Sequence, residues 1–186
     1  MVDLATIAED IRACTRCVLH EGRHLAVPGE GPAGARLMFV GEAPGRQEDV
    51  QGRPFCGAAG KVFDQLLHDA GIARDQTFIT SVVKCRPPHN RLPHQPEIAA
   101  CAGAHLTRQI AVIAPAVICL LGALATRTLL GETRLGDVRG RFVRRDRLYF
   151  PTFHPAAAAR NPAWRRTLTA DLRTLSEMLA RHPCAR

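Results

Sequence analysis

The fold is decided by the stretch RLMFVGEAPGRQED, which spans residues 36–49. Its first five residues form a short apolar run, and a loop of glycines, proline and acids follows. The run predicts a buried strand of a parallel sheet. Because ligands of open α/β sheets bind beyond the carboxyl ends of the strands, Glu42 is a candidate substrate-facing carboxylate. The alternative is that Glu42 is a loop acid or a helix cap.

Strands and helices alternate along the rest of the chain. Apolar periodicity predicts helices at 3–13, 58–70, 95–113, up to Leu130 and 162–180, and strands at 36–41, 78–83, 116–121 and 148–153. Residues 134–147 carry six arginines and two aspartates, and they predict a solvated, hairpin-like basic arm. The alternation favours an α/β fold, with one domain over residues 1–186 and helices on both faces of a parallel sheet.

The composition favours a nucleic-acid partner. The 186 residues include 25 basic and 17 acidic side chains, which gives a net charge of +8. A basic surface attracts polyanions, and the alternative is charge that serves solubility alone. No apolar run approaches the roughly 20 residues of a membrane span, and the N-terminus has no signal-peptide pattern. We therefore expect a soluble, intracellular protein with no membrane partner.

Seven cysteines are many for an intracellular chain of this length. Three are expected to be packing or terminal residues: Cys56, Cys119 and Cys184. The other four are candidate metal ligands: Cys14, Cys17, Cys85 and Cys101. Two of them form a C-x-x-C pair, but a second close pair, usual in a zinc ribbon, is absent. Their spacing alone leaves zinc, an iron–sulfur cluster and unligated thiols open.

Polar residues follow three of the predicted strands. Glu42 with Asp49, Ser81, and His154 fall at strand ends that should meet at one edge of the sheet. Phe55 stands among turn-forming residues in the loop after the first strand. Such an aromatic is either part of the core or a stacking platform for a flat ligand.

Three segments resemble signatures of the family 4 uracil-DNA glycosylases. The first is GEAPG at 41–45, with Glu48-Asp49, Gly52-x-Pro54-Phe55 and Gly57-x-x-Gly60 after it. The second is VVKCRPPHNRLP at 82–93, and the third is HPA at 154–156. The four candidate cysteines match the ligands of the 4Fe–4S cluster in that family. The similarity covers roughly residues 10–175.

The resemblance implies a three-layer α/β/α sandwich with a four-stranded parallel sheet. It also implies a 4Fe–4S cluster with a structural role, uracil-containing DNA as the partner, and base excision repair as the function. The protein is then expected to be a cytoplasmic monomer that associates with the nucleoid through DNA.

The chemistry of uracil excision gives each matched residue an expected role. Glu42 is expected to position water and stabilise a cationic sugar, and His154 to donate a hydrogen bond to uracil O2. The residues expected to hold the base are Gly41, Ala43, Gly45, Gln47, Asp49, Phe55 and Ser81. The residues expected to contact DNA are Arg86, His89, Asn90, Arg91, Pro155, Ala156 and Arg160.

One residue departs from the family pattern. The family commonly has asparagine where this chain has Ser81, and a hydroxyl reads the edge of a base less strictly than an amide does. Activity on hypoxanthine or xanthine is therefore an alternative. A second alternative is a covalent uracil-DNA trap using His89 or His94, since a relative in this superfamily traps the abasic sugar with a loop histidine. That relative, however, has glutamine at the position of Glu42. A third is a cluster-bearing nucleic-acid module without catalysis.

Overall fold

The computed structural model describes residues 3–131 and 134–181. Within these ranges a sheet of five strands forms in the order β2-β1-β3-β5-β4. The strands are β1 (Leu37–Gly41), β2 (Thr77–Ser81), β3 (Val117–Leu121), β4 (Val143–Arg144) and β5 (Leu148–Thr152). Strands β2, β1, β3 and β5 pair in parallel, and β4 pairs antiparallel with β5. The α/β class is confirmed.

The predicted four-stranded, all-parallel sheet is wrong because the basic arm contributes a fifth strand. Val143 pairs with Tyr149, and Arg144 pairs with Leu148. The hairpin in the predicted arm therefore exists, but its first strand extends the sheet. The strand is only two residues long and carries an exposed arginine, features that keep a sheet edge from pairing further.

The described helices flank the sheet and include three short ones that the sequence did not predict. They are α1 (Leu4–Arg12), α2 (Arg46–Gln51), α3 (Ala58–Asp69), α4 (Gln95–Cys101), α5 (Thr107–Ile113), α6 (Ala123–Leu130), α7 (Leu135–Val138), α8 (Pro155–Ala158) and α9 (Pro162–Arg181). A π-helical segment, Ala102–Leu106, joins α4 to α5. The unpredicted helices α2, α7 and α8 have four to six residues each, too few for a periodic apolar pattern.

Side chains alternate between the two faces of the sheet and build a core on each. In β1, Leu37 and Phe39 join the core beneath α3 and α9, whereas Met38 and Val40 join the core beneath α1, α4, α5 and α6. Every residue of β1, β2 and β3 is buried, as expected for parallel strands covered on both faces. The helices on both faces agree with the predicted layering.

The parallel pairing places the carboxyl ends of four strands at one edge. Gly41, Ser81, Leu121 and Thr152 end these strands, and each is followed by a loop. Gly122 follows β3 with a φ of +96°, and a Cβ there would lie 3.2 Å from Cβ of His154. A glycine at this turn therefore leaves room for the loop after β5.

Among the helices in the described ranges, none is both long and apolar enough to cross a bilayer. Cys184 lies outside the described residues. The extent of the domain, residues 1–186, stays a prediction.

Candidate active site

A cavity of about 280 Å³ opens at the carboxyl edge of the sheet. Its walls come from the loops after β1, β2 and β5. The lining residues are Val27, Glu42, Ala43, Pro44, Gly45, Glu48, Pro54, Phe55, Ala59, Ser81, Pro87, Asn90, Arg91, His154, Ala156 and Arg160. Loops far apart in the chain thus meet at one site, as the doubly wound architecture requires.

Glu42 is half-buried in this cavity, directly after β1. Its backbone carbonyl accepts a hydrogen bond from the N–H of Val83, and this bond holds the backbone of Glu42 in place. Burial raises the pKa of the Glu42 carboxyl above its usual value, and the positive charge of Arg127 offsets part of that rise. The group therefore protonates more readily than an exposed glutamate.

His154 enters the same cavity from the loop after β5. Its Nδ1 accepts a hydrogen bond of 3.1 Å from the backbone N–H of Ala156, in the first turn of α8. Burial lowers the pKa of His154 to about 4; Glu48 opposes this shift and Arg160 adds to it. The ring is therefore neutral at pH 7, and its proton is carried by Nε2. A neutral Nε2–H donor is available to a bound ligand.

Phe55 connects the two halves of the site. Its ring stacks on the ring of His154, with centroids 5.6 Å apart, and it also packs on Phe63 of the core. Its backbone has a φ of +50°, in the left-handed region. A Cβ at Gly60 would lie 1.9 Å from the carbonyl oxygen of Phe55, so only glycine fits beneath this turn. Gly41 similarly approaches the Phe55 ring.

Glu48 holds the loop that carries Phe55, a role that the sequence analysis missed. One carboxylate oxygen accepts hydrogen bonds from the N–H groups of Cys56 and Gly57, at 3.0 and 2.8 Å. The other accepts from the N–H of Gly45, at 3.1 Å, in a capping box at the start of α2. The spacing Gly45-x-x-Glu48 could have indicated this cap.

Ser81 lies at the end of β2, on the cavity wall that the family resemblance assigns to base reading. It is buried, and its hydroxyl oxygen would lie 3.3 Å from a Cβ added to Gly41. Behind it, Nζ of Lys84 donates to the Ser81 carbonyl at 2.7 Å and also to Thr80 and Gln109. Burial lowers the pKa of Lys84 to about 7. The lysine supports the wall and does not line the cavity.

The basic loop after β2 is held by its own side chains. Arg91 binds Glu97 through both terminal nitrogens, at 2.9 and 2.6 Å, and Nε of Arg86 donates to Asn90 at 2.7 Å. Glu97 is buried and also accepts from the N–H of His94. Asn90 and Arg91 reach the cavity, and Arg91 has a structural partner that the sequence did not reveal.

The four candidate cysteines line a second, much smaller pocket behind Lys84. Cys85 and Cys101 are buried, while Cys14 and Cys17 are half-buried; all four are free thiols. Nη1 of Arg23 lies 3.1 Å from Sγ of Cys85, and the backbone N–H of Lys84 lies 3.3 Å from Sγ of Cys101. Donors directed at sulfur suit thiolates that bind a metal group.

Burial makes two of these thiols poor acids in the absence of a metal. It raises the pKa of Cys85, with Arg23 opposing, and it raises the pKa of Cys101 to about 11. Within residues 3–131 and 134–181, no group of three or more His, Cys, Asp or Glu side chains is arranged to hold a single metal ion. The four thiols nevertheless line one pocket.

Comparison with known proteins identifies the family. The profile of the Uracil DNA glycosylase superfamily matches residues 28–175, which include the whole cavity edge of the sheet. The chain belongs to the uracil DNA glycosylase superfamily.

Three relatives show how far the similarity extends within this superfamily. A type-4 uracil-DNA glycosylase of Saccharolobus solfataricus is 44% identical over 98% of this chain and 89% of its own length. Those of Archaeoglobus fulgidus and Thermotoga maritima are 38% and 43% identical, over 96% and 83% of this chain and 94% and 82% of their own lengths. The resemblance to family 4 is confirmed.

The structure of this superfamily member brings most of the predicted site residues together. The predicted residues that line the cavity are Glu42, Ala43, Gly45, Phe55, Ser81, Asn90, Arg91, His154, Ala156 and Arg160. Five others that were predicted to hold the base or DNA stand outside the lining: Gln47, Asp49, Arg86, His89 and Pro155. Gly41 also stands outside it, beneath the Phe55 ring.

Asp49 shows why a loop acid can mislead. It is 1% exposed, and its carboxylate accepts a hydrogen bond from the N–H of His24 at 3.0 Å. It therefore ties the N-terminal segment to α2 instead of facing the cavity. Gln47 is exposed on α2 and lies beside Gly57, again away from the base-sized space.

Proposed function

We propose that the protein removes uracil from DNA by hydrolysing the N-glycosidic bond, with the base extruded into the cavity. Membership of the superfamily and the names of the relatives support the reaction class. The observation that carries the residue assignment is that Glu42 and His154, delivered by β1 and β5, line one cavity beside Phe55. An extruded base needs this kind of enclosed, partly aromatic slot.

Glu42 serves the sugar side of the reaction. As the C1′–N1 bond breaks, positive charge develops on the sugar, and a nearby carboxylate stabilises it. The carboxylate also orients a water whose oxygen forms the new bond to C1′. The water proton passes to Glu42 and then to solvent, and the electron pair of the broken bond leaves with N1 of uracil.

His154 serves the departing base. Because Nδ1 already accepts a hydrogen bond from the N–H of Ala156, the ring proton is on Nε2. The Nε2–H donates to uracil O2, on which negative charge builds as the bond breaks. The low pKa favours this neutral donor over an imidazolium. The stacking contact with Phe55 holds the imidazole plane, so that little reorganisation is needed during the reaction.

The base is held by the ring of Phe55 and by the wall formed from Ser81 and the backbone of residues 43–45. Ser81 offers a single hydroxyl to the base, whereas an asparagine amide would form hydrogen bonds with two positions of uracil. A water beside Ser81 completes the recognition of uracil in this proposal. The alternative specificity, for hypoxanthine or xanthine, rests on the same shortened side chain.

No lysine is found among the described residues that line the cavity. Strand-cleaving glycosylases need an amine to form a Schiff base with the abasic sugar. The buried Lys84 already donates to three oxygens behind β2. We therefore assign a monofunctional reaction that leaves an abasic site in an uncut strand.

We infer that the four cysteines hold a 4Fe–4S cluster. Each cysteine of such a cluster binds a different iron, so the four sulfurs need not converge as closely as they do around one zinc ion. Cys14 and Cys17 after α1, Cys85 in the basic loop and Cys101 at the end of α4 would hold this group, and they would be tied together by it. Lys84, between Ser81 and Cys101, links this pocket to the wall of the active site.

We assign the DNA contacts to residues around the cavity mouth. Asn90, Ala156 and Arg160 line the cavity, and Arg86 and His89 lie on the adjacent loop. Pro155 and Ala156 begin α8, where a small wedge can enter the gap left by the extruded nucleotide. The protein acts, in this proposal, as a cytoplasmic monomer on nucleoid DNA.

Incubation of the purified protein with uracil-containing DNA, followed by alkaline cleavage of abasic sites, tests the function. We expect multiple turnover that is lost in Glu42→Gln and His154→Ala and kept in Glu9→Gln, an exposed control on α1. No cleavage of uracil DNA by the wild type would refute the proposal. A DNA adduct that survives denaturing electrophoresis would favour the covalent trap, but the described lining of the cavity includes neither His89 nor His94.

A further inference from the structure

His105 is a buried histidine in the pocket of the four cysteines. It stands in the π-helical segment Ala102–Leu106, is 2% exposed, and lines the pocket together with the cysteines. Neither Nδ1 nor Nε2 of its ring has a hydrogen-bond partner within the described part of the chain. It belongs neither to the sequence signatures nor to the active-site cavity.

Two unpaired ring nitrogens in a core are costly. A buried polar group without a partner destabilises a fold, and such groups are rare enough to require a reason. Burial, together with the nearby charge of Lys84, lowers the pKa of His105 to about 4. The ring is therefore neutral, with one N–H donor and one acceptor nitrogen.

The local backbone places this histidine in the pocket. The hydroxyl of Thr107 reaches the carbonyl of Ala102, five residues back, where the helix is wider than an α-helix. An inserted residue of this kind rotates the following side chains, and π-bulges are frequent at functional sites. His105 consequently lines the same pocket as Cys101, which lies one turn earlier.

Three other polar groups of the pocket already have partners. Nδ1 of His20 lies 2.8 Å from the carbonyl of Cys17, Arg23 donates to Cys85, and the N–H of Lys84 donates to Cys101. Donors thus reach two of the four sulfurs, and one buried N–H remains. The four cysteine sulfurs are among the acceptors that line the pocket with His105.

We propose that His105 donates its ring N–H to a sulfur of the iron–sulfur cluster, either a cysteine thiolate or an inorganic sulfide, and so raises the reduction potential of the cluster. The proposal rests on the cluster inferred above. A donor stabilises the more negative, reduced state more than the oxidised state, which is the general effect of hydrogen bonds to cluster sulfurs. His105 is in this view a tuning residue of the cofactor site, without a part in the glycosidic step.

Pulsed EPR of the reduced holoprotein tests the contact directly. Protein labelled with ¹⁵N only at histidine is expected to show a hyperfine coupling from a ring nitrogen. The coupling should vanish in His105→Leu and persist in His20→Gln, a matched change in the same pocket. A wild-type spectrum without any histidine coupling would overturn the proposal, whatever the variants do.

Redox titration gives an independent readout. At a fixed solution potential, His105→Leu is expected to shift the ratio of reduced to oxidised cluster about tenfold toward the oxidised form. This corresponds to a reduction potential that is lower by about 59 mV for one electron. His105→Gln keeps an N–H donor and is expected to restore most of that shift. An unchanged potential in an iron-replete His105→Leu would refute the tuning role.

Iron analysis and visible absorption of the wild type separate the two failures. If the wild type binds no iron after anaerobic reconstitution, the proposed cofactor fails, and the role of His105 fails with it. If iron is bound and the coupling is absent, only the role of His105 fails. Excision of uracil is measured in parallel and should be the same in wild type and His105→Gln.

Discussion

The rings of Phe55 and His154 lie in contact, with centroids 5.6 Å apart and planes 28° from parallel. The proposed base platform and the proposed hydrogen-bond donor are therefore positioned by each other. Phe55 reaches this place only with a positive φ, over a glycine that admits no side chain. The geometry of the site consequently depends on loop packing as much as on the two chemical groups.

Gly60→Ala should damage the site without removing any of its functional side chains. The added methyl group would lie 1.9 Å from the Phe55 carbonyl, so the loop must move. We expect a fall in excision rate and a lower thermal midpoint, by a few degrees per kcal/mol lost. Gly103→Ala is the control, because a Cβ there meets nothing within 4 Å. Equal effects of the two substitutions would contradict the packing argument.

Glu42→Gln should reduce single-turnover excision about 10²- to 10⁴-fold, the usual range for a positioned acid–base group, with DNA affinity preserved. The wild-type rate should also fall on acidification. Burial raises the folded pKa of Glu42, so the required carboxylate is lost as pH falls through a value above the ordinary glutamate range. A pH–rate profile measures this acid limb. An unchanged limb in Glu42→Gln would assign it to another group.

His154 should be observed as the Nε2–H tautomer with a pKa near 4. Its Nδ1 accepts from Ala156, and burial disfavours the charged ring. Nitrogen NMR of ¹⁵N-histidine protein measures both properties. His154→Leu should reduce the excision rate about 10²- to 10³-fold, as for the loss of one oxyanion donor. A ring that titrates near pH 6.5 would contradict the neutral-donor role.

Ser81→Asn should sharpen base selection. The longer amide supplies a donor and an acceptor in one plane, and one added hydrogen bond is worth about 1 kcal/mol, or roughly fivefold in rate. Excision rates on duplexes with uracil, hypoxanthine, xanthine and cytosine give the preference. Ser81→Ala is the matched control that removes the hydroxyl. If wild type and Ser81→Asn have the same preference, Ser81 does not read the base.

Arg160→Ala should weaken DNA binding about equally for all sequences. Arg160 is exposed at the cavity mouth, and loss of one phosphate contact reduces the slope of log affinity against log salt by about 1. The control is Arg181→Ala, at the far end of α9, where the arginine pairs with Glu177. The same change of slope in both variants would show that the loss of net charge, and not the loss of a defined phosphate contact, weakens binding.

The sequence predicted the order of elements because buried parallel strands are short continuous apolar runs. The strand of residues 37–41, the helix from 58 and the long helix from 162 all lie within one or two residues of their predicted bounds. The fifth strand could not be predicted, because two residues such as Val143 and Arg144 carry no periodic signal. Helix α2 was missed for the same reason, although its capping glutamate was visible.

Site residues could be predicted where the proposed chemistry requires a particular type of side chain. They could not be predicted where the position of a side chain depends on packing. Glu42, Ser81 and His154 were predicted because each lies at or within two residues of a strand end, and all three line the cavity. Asp49 lies outside the cavity lining and accepts from a backbone N–H, an arrangement that the sequence cannot distinguish from a loop acid that faces a ligand. Arg91 was assigned to DNA, but its partner Glu97 is apparent only in the folded loop.

The sequence alone determined the α/β class, the strand ends that carry polar groups and the set of four cysteines, because these follow from local apolar patterns and residue types. Only the tertiary structure decided which of the groups share a cavity, which tautomer His154 adopts, and that His105 is buried beside the cysteines without a partner. These properties depend on distances between residues far apart in the chain. Such distances are set by packing across the sheet, and local sequence patterns carry no information about that packing.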